Sequence, residues 1–165
     1  MARMRIILAA MRHWWLAILV VAGCSSSPSA TFTLTDSSVD STYWCPGGAA
    51  NASYQIRATI HVHNGTANAV TVESASAELV LKSVQGTWLE KVGDRYEAGN
   101  VDVTPNTIGA MSSQTLMAVI PSACTSPAYG SSPSSSGSYE VRITLVTSAG
   151  RFAITARNRH EILAA

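Results

Sequence analysis

Between Ser53 and His63 apolar and polar side chains alternate without a break: Tyr54, Ile56, Ala58, Ile60 and Val62 form one set, Gln55, Arg57, Thr59, His61 and His63 the other. A period of two belongs to an extended chain with one face buried and one wet, and it leaves no apolar stripe for a helix. The pattern returns at Leu116, Ala118 and Ile120, at Tyr139, Val141, Ile143 and Leu145, and at Phe152, Ile154 and Ala156. Asn64-Gly65 and Ser148-Ala149-Gly150 follow two of these runs, and both read as turns, the first with positive φ. From Val72 to Ala75 the inward positions switch from even to odd numbers. One extra residue flips every later side chain, so the spacing predicts a bulge near Glu73 to Ser74.

A shorter pair of strands is expected over Trp88 to Val92 and, past Gly93-Asp94, around Tyr96. Thr125 to Gly137 is almost entirely Ser, Pro, Gly and Thr, can bury little, and reads as a mobile loop. No segment beyond residue 23 sustains a 3.6-residue period. About seven short strands separated by turns predict an all-β fold, an antiparallel immunoglobulin-like β-sandwich, with a small closed barrel as the other solution.

The first 23 residues differ in kind. Arg3, Arg5 and Arg12 precede a nine-residue apolar run from Trp14 to Ala22, the order of charge and hydrophobicity found in secretory signals. A bilayer span needs roughly 20 apolar residues, which disfavours a permanent transmembrane anchor. The run ends in Val21-Ala22-Gly23-Cys24, which resembles the lipobox of bacterial lipoproteins. That resemblance implies a signal peptide over residues 1–23, forming an N-terminal signal helix, and a lipidated Cys24 as the mature N-terminus. A polar tether over 24–30 and a single β-sandwich domain over 31–165 would follow. One acyl chain binds a bilayer only marginally and two hold it stably; lipoproteins of this family carry more than one. Ser25 after the cysteine favours the periplasmic face of the outer membrane where two membranes exist. A cleaved signal without lipid is the other reading of the small residues Ala22-Gly23, and Met4 and Met11 are alternative starts to Met1.

Without the three leader arginines the chain keeps eight Lys and Arg against ten Asp and Glu, a net charge of −2 in place of +1. These charges are scattered, with no basic stripe to attract nucleic acid. Assigning Cys24 to lipid leaves Cys45 and Cys124 as a pair, which an oxidising compartment is expected to join in a disulfide. Each cysteine flanks a strand, so neighbouring antiparallel strands would bring them to the same end of the sandwich. Tyr43 and Trp44 beside Cys45 read as apolar cover for that bond, or else as a stacking surface for a sugar or peptide, and Trp88 has the same two readings.

Chemistry is suggested by one run, Ile60-His61-Val62-His63. Two histidines at i and i+2 share a strand face, a spacing that suits imidazole ligation of zinc or copper. The run is similar to the His-Val-His strand of copper-zinc superoxide dismutases, but that family needs several further histidines and an aspartate. Beyond residue 23 this chain adds only His160, in its C-terminal tail. Arg57, on the same face, opposes a cation, so His61 and His63 read as part of a solvated polar face with no metal and no cofactor. No Gly-x-Ser-x-Gly elbow is present, and a bridged cysteine pair leaves no thiol nucleophile. The expected function is a non-catalytic binding or interaction module of the cell envelope, held to the membrane by lipid and contacting an envelope protein or polymer. The alternatives are a metal-binding protein or enzyme using His61 and His63, and a structural envelope lipoprotein. Calorimetric titration of zinc and copper into the full chain in detergent is expected to show no saturable uptake better than millimolar; uptake abolished by His61→Ala would establish the metal reading.

Overall fold

The computed structural model describes residues 31–46, 52–124 and 135–164. The expected signal peptide over 1–23, Cys24, the expected tether and most of the serine-rich segment lie outside these residues. In chain order the strands are β1 (Phe32–Val39), β2 (Thr42–Cys45), β3 (Ala52–Asn64), β4 (Val70–Gln85), β5 (Arg95–Ala98), β6 (Asp102–Thr104), β7 (Thr107–Ile108), β8 (Ser112–Cys124), β9 (Ser136–Thr147), β10 (Gly150–Thr155) and β11 (His160–Ala164). They form a four-stranded sheet in the order β1-β3-β8-β6 and a seven-stranded sheet in the order β2-β11-β9-β4-β5, with β10 beside β9 and β7 beside β4.

The alternating rows meet between the sheets. Ile56, Ala58, Ile60 and Val62 of β3 and Leu116, Ala118 and Ile120 of β8 are buried, as are Ala75, Ala77, Leu79 and Leu81 of β4 and Val141, Ile143 and Leu145 of β9. Each fully buried aliphatic side chain contributes about 1.5–3 kcal/mol relative to exposure, so these rows are the main source of cohesion. The register of β4 on β9 shifts between Val72 and Ser74, where the change of parity requires it, and again between Leu81 and Ser83.

Several expectations are corrected. Among the described residues eleven strands replace about seven, because short edge pieces and the C-terminal β11 carry too few residues to show a period. The seven-stranded sheet is mixed, since β11 runs parallel to β2, while the four-stranded sheet is antiparallel throughout. No strand forms over Trp88 to Val92, while Arg95–Ala98 around Tyr96 is one. Ser136 and Gly137, expected in the loop, begin β9 and are buried. Asn64-Gly65 makes no positive-φ turn; among the glycines that role falls to Gly86, Gly93 and Gly150. Asn64 acts through its buried side chain, whose Nδ2 donates to the carbonyls of Asn68 (2.9 Å) and Gly109 (2.9 Å) while Oδ1 accepts the Thr66 N–H (3.0 Å). It thereby joins the β3–β4 connection to the turn before β8.

The disulfide Cys45–Cys124 forms, with Cα atoms 6.0 Å apart. Its strands are not neighbours: β2 belongs to the seven-stranded sheet and β8 to the other, so the bond staples sheet to sheet. It closes a loop of 79 residues, for which the chain-entropy relation gives about 4–5 kcal/mol. Replacing both cysteines by alanine is expected to lower unfolding stability by about that much, measured by urea titration; a loss under about 1 kcal/mol would show that the packed rows hold the end closed without it.

Candidate functional site

His61 and His63 project from the outer face of β3, both exposed. Each faces a hydroxyl directly across on β8: His61 Nδ1 lies 3.0 Å from Thr115 Oγ1 and His63 Nδ1 3.0 Å from Ser113 Oγ. The pair therefore stands on one face, about 7 Å apart by strand geometry, within a polar row that includes Arg57. Among the described residues no group of three or more His, Cys, Asp and Glu side chains could hold a metal ion. Zinc sites use at least three protein ligands.

His160, the remaining histidine beyond the leader, is 1% exposed and lies inside the fold. The sequence places it in a C-terminal tail, where the parity shared by His160 and Ile162 is too short a signal to mark the strand that forms. The side chain belongs to a knot where the chain changes sheets. β1 pairs with β3 as far as Val39 opposite Ala58, and from Thr42, three residues later, β2 pairs with β11 in the other sheet. Asn158 grips the crossing, accepting the Val39 N–H at Oδ1 (3.0 Å) and donating from Nδ2 to the Val39 carbonyl (2.7 Å). His160 Nδ1 lies 2.7 Å from the Asp40 carbonyl, which can only accept, so Nδ1 carries the proton. Nε2 then accepts from the Tyr54 hydroxyl at 3.2 Å. Burial pushes the His160 pKa below its ordinary 6.5 against the opposing pull of the Asp40 carbonyl and carboxylate. Burial likewise pushes Tyr54 up to about 12, so it stays a donor.

Alternation in β2 separates the two aromatics next to Cys45. Tyr43 turns inward and stacks on Tyr54, ring centroids 3.8 Å apart at 6°, whereas Trp44 points outward and is 61% exposed. Only Tyr43 thus belongs to the interior at the disulfide end. Trp88 is half-buried against the core: its indole N–H donates to Tyr139 Oη (3.0 Å), and a Cβ on Gly137 would meet its ring at 2.5 Å. Glycine at 137 is what admits the indole. Two larger cavities open on the surface. One, about 630 Å³, is lined by residues that include Asp40, Tyr43, Ser53, Gln55, Arg57 and Pro121 at the crossing. The other, about 390 Å³, lies over the seven-stranded sheet between Glu78, Glu97, Arg142 and Arg151.

No protein-family description matches the sequence, and no curated protein is similar to it at a significant level. Among solved structures the chain is similar to the ASH / PapD-like domain 7 of human CEP192, with 11% identity, a TM-score of 0.27 and coverage of 92% of this chain and 94% of that one. It is also similar to the sporulation control protein Spo0M of Bacillus subtilis, with 16% identity, a TM-score of 0.34 and coverage of 79% of this chain and 51% of that one, about half its length.

The His160 geometry sets a pH dependence. A histidine whose native pKa lies below its unfolded value stabilises the fold fully above about 6.5 and loses that contribution as pH falls from there toward the native pKa. Thermal unfolding of the wild type is expected at lower temperature at pH 5.5 than at pH 7.5. His160→Gln, which cannot charge, should be less stable at pH 7.5 and show a smaller decline; equal slopes in the two proteins would remove the neutral-imidazole assignment.

Proposed function

We propose that this chain is a lipid-anchored, non-catalytic interaction module on the extracytoplasmic side of a bacterial cell envelope. The observation that carries the reading is the Cys45–Cys124 disulfide, which fits an oxidising compartment. It accounts for two of three cysteines and leaves Cys24, at the end of the apolar run, as the odd one. The lipobox resemblance supplies a use for that residue.

An anchor at Cys24 would lie nearer one end of the sandwich than the other. Phe32, the first strand residue, pairs with Asn64, while Cys124 pairs with Ala52 at the other end of the same thirteen-residue strand. That strand spans about 40 Å, and the six residues between Cys24 and Thr31 reach at most about 20 Å. On this reading the Asn64 end faces the bilayer, and the disulfide end, with exposed Trp44, Leu89 and Val92, faces away from it. A partner elsewhere in the envelope meets that far end first.

Expression with labelled palmitate is expected to mark the wild type and move it into the detergent phase on Triton X-114 partition. Cys24→Ser should lose the label and stay in the aqueous phase with its disulfide intact. Label retained by the serine variant, or never taken up by the wild type, removes the anchor.

A further inference from the structure

The crossing at Asp40 leaves part of β3 without a neighbour. β1 accompanies β3 only to Val39 opposite Ala58. Beyond that point, among the described residues, β3 from Ala52 to Gln55 is paired on its β8 side alone. Two hydrogen bonds show which main-chain groups face the vacated flank: Asp40 N–H donates to the Arg57 carbonyl (2.9 Å), and Arg57 N–H donates to Asp40 Oδ2 (3.1 Å). Main-chain groups alternate sides along a strand, so those of Gln55 and Ser53 point the way Arg57 points, while those of Tyr54 and Ile56 point to β8. Ser53 and Gln55 thus offer two N–H donors and two carbonyl acceptors to the flank.

The opposite flank of the same sheet is treated differently. β6 covers β8 from Met117 to Val119, and the next residue facing outward is Pro121, opposite Gln55. A proline there has no N–H to offer, which is how natural sheets blunt an edge against stray pairing. The β3 flank has no such device, and the cavity of about 630 Å³ opens beside it, walled by Tyr43, Tyr54 and Asp40. Arg57 stands on its rim. The ion pairs among the described residues join Lys82 to Glu140, Arg95 to Glu78 and Arg157 to Asp36, so the Arg57 guanidinium has no carboxylate of its own.

We propose that the β3 flank at Ser53 and Gln55 takes an extended peptide segment of another protein, with a carboxylate on that segment pairing with Arg57. The segment continues the sheet where β1 leaves it, through main-chain hydrogen bonds that give affinity with little sequence demand. The acidic group supplies selectivity, since a guanidinium binds a carboxylate through two parallel N–H donors. This deepens the interaction-module reading by naming its surface and class of partner; it rests on that reading for the partner and not on the anchor.

The first test needs no partner. In the isotope-labelled full chain in detergent micelles, the Ser53 and Gln55 amides are expected to exchange with solvent at least 100-fold faster than those of Tyr54 and Ile56. Protection of Gln55 in the monomer would overturn the proposal, as would protection that rises with protein concentration and marks a second copy. Selection from a random dodecapeptide display library should then enrich acidic peptides that slow Gln55 exchange at least tenfold. Their binding is expected to fall at least tenfold in Gln55→Pro, which removes the N–H facing the flank together with the glutamine side chain, in Arg57→Glu, and not in Gln55→Ala, which keeps that N–H. Retained amide protection at Ile60 checks that both variants fold. No enriched peptide, or peptides indifferent to both substitutions, would overturn it. A wild type that takes up no palmitate but binds these peptides removes the anchor and leaves this surface standing.

Discussion

Everything in this fold depends on burying one side of each long strand against the other sheet. β3 and β8 from one sheet, β4 and β9 from the other, contribute rows of small and branched aliphatic residues, and the alternate positions, polar along β3 and mixed along the other three, face outward. Because the side-chain period is two, the rows tolerate no slip, and the shift in β4 between Val72 and Ser74 keeps Ala75, Ala77, Leu79 and Leu81 on the inner side. The remaining strands are short, and they are placed by these four.

Where the chain leaves one sheet for the other, the apolar rows cannot help, and main-chain polar groups must find partners among side chains. Asn158 and His160, from the far end of the sequence, do this for Val39 and Asp40. Asn64 does the same where β3 ends and the chain passes to β4. These two connections between the sheets, one midway along β3 and one at its Asn64 end, are therefore tied by polar side chains whose roles are positional. Among the described residues the side chains of the exposed His61 and His63 bond to hydroxyls on the adjacent strand.

Legibility followed the same division. Long strands with alternating residues, the bulge in β4 and the cysteine pair could be read directly, because each leaves a local or arithmetical trace. β2, β6, β7 and β11 have at most five residues each and show no period. Trp88 to Val92 reads as a strand from Trp88, Leu89 and Val92, yet Leu89 and Val92 are exposed while Trp88 turns inward over Gly137. The knot around His160 is formed by residues about 120 positions apart, Asp40 and His160, and only the tertiary fold brings them together. The vacated flank of β3 is of the same kind, being a property of where β1 stops.

The sheet-to-sheet disulfide also decides how the molecule would respond to a mechanical load. Tension applied ahead of Phe32, drawn away from the disulfide end, runs along β1 and loads its ladder to β3 in shear, with all the pairs from Phe32 to Val39 resisting together. If that ladder yields, only β1 and β2 can be drawn out, because at Cys45 the force passes through the covalent bond to Cys124 in β8. From there it reaches a central strand of the other sheet, and the 79 residues between the cysteines cannot lengthen the chain. The domain has a short, replaceable leash in its first two strands and a fixed stop behind it.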